Sequence, residues 1–83
     1  MSVQTPLSDL APGEAGLIAS VEGTEGLRLR LAALGFRVGR GVLLLRRGTM
    51  RGPLHVRLGT TEVALRAAEA SGIALREVSG QAT

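Results

Sequence analysis

The segment Leu54-His55-Val56-Arg57-Leu58 constrains this chain most. Three aliphatic residues alternate with two polar ones at a period of two, the pattern of a strand with one buried and one wet face. Gly59-Thr60-Thr61 follows at once as a hairpin turn, and residues 62–65 return with Val63 and Leu65 inward. Residues 15–22, after the Pro12-Gly13 turn, alternate too. They put Ala15, Leu17, Ala19 and Val21 on one face and Gly16, Ile18, Ser20 and Glu22 on the other.

Gly23 and Thr24 interrupt this strand, and Thr24 is a suitable N-cap for a helix. Leu27, Leu31 and Leu34 then recur at i, i+4 and i+7, one helical face, and Gly35 stands where a helix-ending glycine belongs. Phe36 behind it is read as a plug of the core. Residues 38–41 form a turn, 42–47 a strand, 48–53 a loop rich in breakers, 66–71 a helical turn stopped by Gly72, and 73–76 a last strand. Short strands separated by glycine turns point to a mainly β fold. The expectation is a barrel or sandwich of about five short strands, and a chain this short can hold a closed or nearly closed barrel. A helix is inserted after the first strand and a short helical turn precedes the last. One domain spans residues 1–78, with a frayed tail at 79–83.

A chain of 83 residues can build only a shallow core, drawn here from Leu, Val, Ala and Ile with the single aromatic Phe36. There is no cysteine, which excludes disulfides, thiolate metal sites and a cysteine nucleophile. The longest apolar run, residues 42–45, is far short of the roughly 20 residues of a membrane span, so direct membrane insertion is not expected. The N-terminus lacks the basic and apolar regions of a secretory signal, and the expected compartment is the cytoplasm. The charges are segregated. Four acids and no base precede Arg28; eight arginines and no acid run from Arg28 to Arg57; after that the signs mix. Such a split suits an acidic partner, a nucleic acid, or a solvated face that pairs with its own acidic neighbour.

Chemistry finds little purchase. His55, the one histidine, falls in the outward phase of its strand, and no paired ligand spacing accompanies it, so no metal or cofactor site is expected. No serine sits in a nucleophile turn, no histidine–aspartate pair is available to activate one, and the absence of lysine rules out a Walker-type phosphate loop. No catalytic residue is assigned, and the chain is read as a binding protein rather than an enzyme. Small barrels that bind single strands stack bases on aromatic side chains, and one phenylalanine does not supply such a surface. A basic nucleic-acid-binding barrel therefore stands only as an alternative, beside a free-standing adaptor for another protein.

An ordered series of motifs carries a resemblance. Leu7 and Leu10, Gly13, Gly16-Leu17-Ile18, Arg30-Leu31-x-x-Leu34-Gly35-Phe36-x-x-Gly39, Gly52-Pro53-Leu54-x-Val56 and Glu62-Val63-Ala64-Leu65-Arg66 together resemble the FeoA family. The resemblance implies an SH3-like barrel and a cytoplasmic accessory role in bacterial ferrous-iron uptake. The implied partner is the membrane transporter FeoB, which would recruit the domain to the inner face of the membrane. Two departures stand out. The loop before Pro53 reads Gly48-Thr49-Met50-Arg51-Gly52, with an arginine and no acid where the family commonly carries an aspartate, and Leu29 replaces a polar residue. The same fold closes the C-terminus of iron-dependent repressors, but the helix-turn-helix and dimerisation regions of those proteins are missing here.

Two places suit a protein partner. Leu29 lies about 200° round the helix from Leu27, outside the core stripe, and is flanked by Arg28 and Arg30, an apolar centre with a polar rim. Met50 is a flexible apolar residue in a loop, surrounded by Arg46, Arg47 and Arg51. The expected partner-binding residues are thus Arg28, Leu29, Arg30, Met50 and Arg51. Weak self-association is left open.

Overall fold

The computed structural model describes residues 3–50 and 52–80. In chain order they form β1 (Thr5–Pro6), a 3-10 turn (Leu7–Asp9), β2 (Glu14–Val21), α1 (Glu25–Leu34), β3 (Gly41–Arg47), β4 (Leu54–Leu58), β5 (Thr61–Leu65), α2 (Ala67–Ala70) and β6 (Ile73–Gly80). Six antiparallel strands lie in the order β1-β6-β2-β3-β4-β5. Strands β2 to β5 are a meander, and β6 returns to pair with β2. This is the SH3-like arrangement, with β1 and β5 as the two ends of a sheet that is not closed.

The helix is delimited by its caps. Thr24 accepts a hydrogen bond from the Leu27 amide at 3.2 Å, satisfying one of the orphan donors of the first turn. At the other end Gly35 takes φ 106°, open to glycine at little cost. Its N–H donates to the Ala32 carbonyl at 3.0 Å and the Phe36 N–H to the Leu31 carbonyl at 2.9 Å, the paired bonds of a Schellman stop. The hydrophobic contact that accompanies this motif falls on Leu31 and Phe36, both in the core. Leu31 is the helix residue fully withdrawn from solvent; Leu27 is half-buried, and Leu34, expected beside them, is 37% exposed at the margin.

Two bulges correct the expected strand faces. Along β2 it is Gly16 and Ile18 that turn inward, while Ala15 and Leu17 face outward. Ile18 opposes Leu75 and Ser20 opposes Ala74, so Ala19 is an extra residue in the ladder. One extra residue exchanges the two faces. Val21 therefore packs on the same core as Ile18, although the two are three positions apart. A second irregularity lies in β6, where Ala15 opposes Ser79 but Leu17 opposes Arg76. Glu77 occupies the left-handed region there, at φ 54°.

The ends also differ from expectation. β1 is two residues long and half proline, too short for any periodicity, and pairs Thr5 with Leu75. Ser79 and Gly80, expected to begin a frayed tail, still pair with Ala15 and Glu14; residues 81–83 lie outside the described residues. Leu7 and Leu10 belong to the core. The Arg47 guanidinium holds their segment to β3 by donating to the carbonyls of Ser8 at 2.7 Å and Leu10 at 2.6 Å.

Candidate protein-interaction surfaces

The outward face of α1 carries Leu29, 65% exposed, as its place on the helix requires. Arg28 and Arg30 flank it and are both exposed, but they differ in engagement. Arg30 forms an ion pair with Glu69 of α2. The other Glu69 oxygen accepts from the Arg66 backbone N–H at 2.9 Å, so Glu69 caps α2 and binds it to α1. The hydrogen bond from Arg30, then that from the Arg66 backbone, holds the Glu69 carboxyl below its ordinary pKa of 4.5. Among the described residues Arg28 has no acidic partner and is the arginine free to meet one on another molecule.

The junction of α1 with α2 should therefore be sensitive to acid. A carboxylate with a depressed folded pKa contributes stability that is complete above its unfolded value and fades as pH falls through the folded one. The thermal midpoint of the native protein should exceed that of Glu69→Gln at neutral pH, and the gap should close below the ordinary value of 4.5. A gap unchanged in acid would mean that the carboxylate charge is not what joins α1 to α2.

Met50 sits at the tip of the β3–β4 connection, 96% exposed. The Gly52 N–H donates to the Thr49 carbonyl and the Gly48 N–H to the Pro53 carbonyl, both at 2.9 Å, so the loop is a tight turn. Met50 takes φ 53° there, a conformation that glycine, asparagine or aspartate usually fills. A bulky apolar side chain is thus held in a sparsely populated backbone state and aimed at solvent, a departure from local preference of the kind that gathers at functional positions. Of the arginines expected around it, Arg46 is exposed, Arg47 is occupied by the carbonyls of the N-terminal segment, and Arg51 lies outside the described residues.

A third surface was not visible in the sequence. The exchanged face of β2 brings Ala15 and Leu17 beside Leu43 of β3 on the outside of the sheet, where they floor a groove of about 420 Å³. Gly41 and Gly59 line it without a side chain to fill it. Arg57 and Glu77 also line it, each held in an exposed ion pair, Arg57 with Glu62 of β5 and Glu77 with Arg76. Such a trough accepts an aliphatic side chain between mixed charges. The bulge in β6 was its missing signal, because nothing in Arg76-Glu77-Val78 marks a break in alternation. His55 lies half-buried opposite Ala64, and among the described residues no three His, Asp or Glu side chains gather as a metal site.

The chain can be set beside known proteins. A family model described as the FeoA domain matches residues 5–77. A Porphyromonas gingivalis (strain ATCC BAA-308 / W83) protein, named as a fusion of Fe(2+) transport protein A with the Fe(2+) transporter FeoB, is 31% identical over 77 residues. That match takes in 93% of this chain but 9% of the fusion protein, so the chain spans only a small part of that relative's length. The zinc complex of Stenotrophomonas maltophilia FeoA, an SH3 domain protein put forward as an activating factor of ferrous iron transport, superposes with a TM-score of 0.77. It is 30% identical, over 92% of this chain and 96% of that one. A manganese-dependent transcriptional repressor reaches a TM-score of 0.84 over 92% of this chain and 42% of its own, at 18% identity, a likeness of fold alone.

Proposed function

Since this chain belongs to the FeoA family, we propose that it is a non-enzymatic accessory protein of ferrous-iron transport that binds the cytosolic side of a FeoB-type transporter and supports its assembly or activity. The observation that carries the reading is the fused relative, in which a segment similar to this chain is joined to the transporter in one polypeptide. Covalent linkage raises the effective concentration of two modules, a device that serves parts which contact one another. The contact is assigned to the face of Leu29 with Arg28 and to the Met50 turn, with Arg51 beside it in sequence. Exposed apolar anchors with cationic neighbours suit an apolar patch with an acidic rim.

The test is titration of the isotope-labelled protein with the cytosolic part of the transporter from the same organism, followed by NMR. Shifts should centre on α1 and the 48–53 loop and weaken as salt rises. Leu29→Glu should change stability by less than about 0.5 kcal/mol while weakening binding at least about tenfold, because the side chain is exposed in the free domain. Unfolding of that variant would make Leu29 part of the core and remove it as an anchor. Shifts confined to the Ala15–Leu43 groove would move the contact there. Silence with the cytosolic part, repeated with the full transporter in detergent, would overturn the reading.

A further inference from the structure

The sheet has two edges, and they are guarded differently. β1 is two residues long and ends in proline, a short edge that offers little to a new strand. β5 has neither device. It pairs with β4 over Thr61 to Leu65 with no register shift, contains no proline, and among the described residues nothing else bonds to its outer side. The backbone groups that face outward can be named. Gly59 and Thr60 form a two-residue turn with Gly59 at φ 60°, so Leu58 and Thr61, which close it, exchange both hydrogen bonds. Bonded pairs alternate along an antiparallel ladder, making Val56–Val63 and Leu54–Leu65 the next two. The N–H and C=O groups of Glu62 and Ala64 therefore point away from β4, and both residues are exposed.

We infer that this edge is a self-complementary docking strand whose partner is a second copy of the chain, joined antiparallel about a two-fold axis at Val63. In that register Glu62 of each copy opposes Ala64 of the other, and the four outward groups on each strand all find partners. The small alanine leaves room for the Glu62 side chain, which keeps its own Arg57 and lies diagonal to both the Arg66 and the Glu62 of the other copy, the two arginines standing against the one like charge. The two half-buried Val63 side chains meet across the axis in a non-bonded pair, where side chains approach most closely. Other registers are worse. An axis at Glu62 sets like charges face to face. An axis at Ala64 calls on the Arg66 N–H, which already donates to Glu69. Two such short strands bury well under the roughly 1,200 Å² of a stable interface, so the pairing is weak, with a dissociation constant on the order of 0.1–1 mM.

The experiment is a concentration series of the full chain, up to about 1 mM, read by sedimentation and amide shifts. Shifts should grow with concentration on β5, and the Glu62 and Ala64 amides should become protected from exchange. Ala64→Glu places an acid opposite Glu62, whereas Ala64→Lys places a base there. Position 64 is exposed, so both variants keep the fold, and the lysine variant should associate about tenfold more tightly than the glutamate variant. Ala64→Pro removes an outward donor and should abolish association. Absence of association, association mapping to another surface, or equal affinity of the two charged variants would each overturn the proposal. So would β5 shifts that arise only when the transporter's cytosolic part is added, since the edge would then pair with a segment of that protein.

Discussion

Leu31→Ala should cost on the order of 2–5 kcal/mol and lower the thermal midpoint by roughly 10–25 °C, as read by circular dichroism melting. Leu31 has no exposed surface and is the point through which α1 reaches the core. Its loss opens a cavity beside Phe36, the one aromatic residue of the sequence. The backbone cannot collapse to fill that space, because the Leu31 carbonyl is held by the Phe36 N–H in the helix stop. A domain of this size is stable by only about 5–10 kcal/mol in total, so the substitution removes a large share of it. A drop of no more than a few degrees would mean that α1 packs loosely on the sheet.

Gly72→Ala reverses the usual sign of a glycine-to-alanine change. Stiffening the unfolded chain commonly stabilises by about 0.4–1 kcal/mol. Here a Cβ on Gly72 would stand 2.4 Å from the carbonyl oxygen of Glu22. The two backbones are already joined by the Glu22 N–H donating to the Gly72 carbonyl at 2.8 Å. The obstacle is main chain rather than a movable side-chain end, so the β2–β6 junction must spread at a cost of about 1–3 kcal/mol or more. Gly26 supplies the internal control. It lies in α1, where a Cβ added to it would meet nothing within 4 Å, and Gly26→Ala should stabilise by a few tenths to about 1 kcal/mol. Equal effects of the two substitutions in denaturant melts would refute the close approach.

What could be read from residue order was what depends on local chemistry. Thr24 and Gly35 bracket the helix because their preferences are those of caps, and the alternation in β4 survives because that strand carries no bulge opposite β5. The outward phase of Leu29 followed from helical spacing alone. What could not be read depends on long-range register. The extra residue at Ala19 exchanges the faces of β2, and no composition signal marks it. The groove depends on that exchange and on the bulge at Glu77 together. The engagement of Arg30 by Glu69, and of Arg47 by the 3-10 segment, is a tertiary fact that a run of arginines cannot reveal. The resemblance to the FeoA family supplied the SH3-like topology that alternation alone left as a generic small barrel.

The pairing of Thr5 with Leu75 has a consequence for how such a domain can be linked to others. Because β1 and β6 are antiparallel neighbours, the chain before Thr5 and the chain after Gly80 leave from the same end of the sheet. Circular permutants joining the two ends by a short linker should fold for the same reason. Held by a flexible tether, the domain would meet its neighbour at an effective concentration near millimolar. A contact too weak to persist between free molecules would then be occupied much of the time.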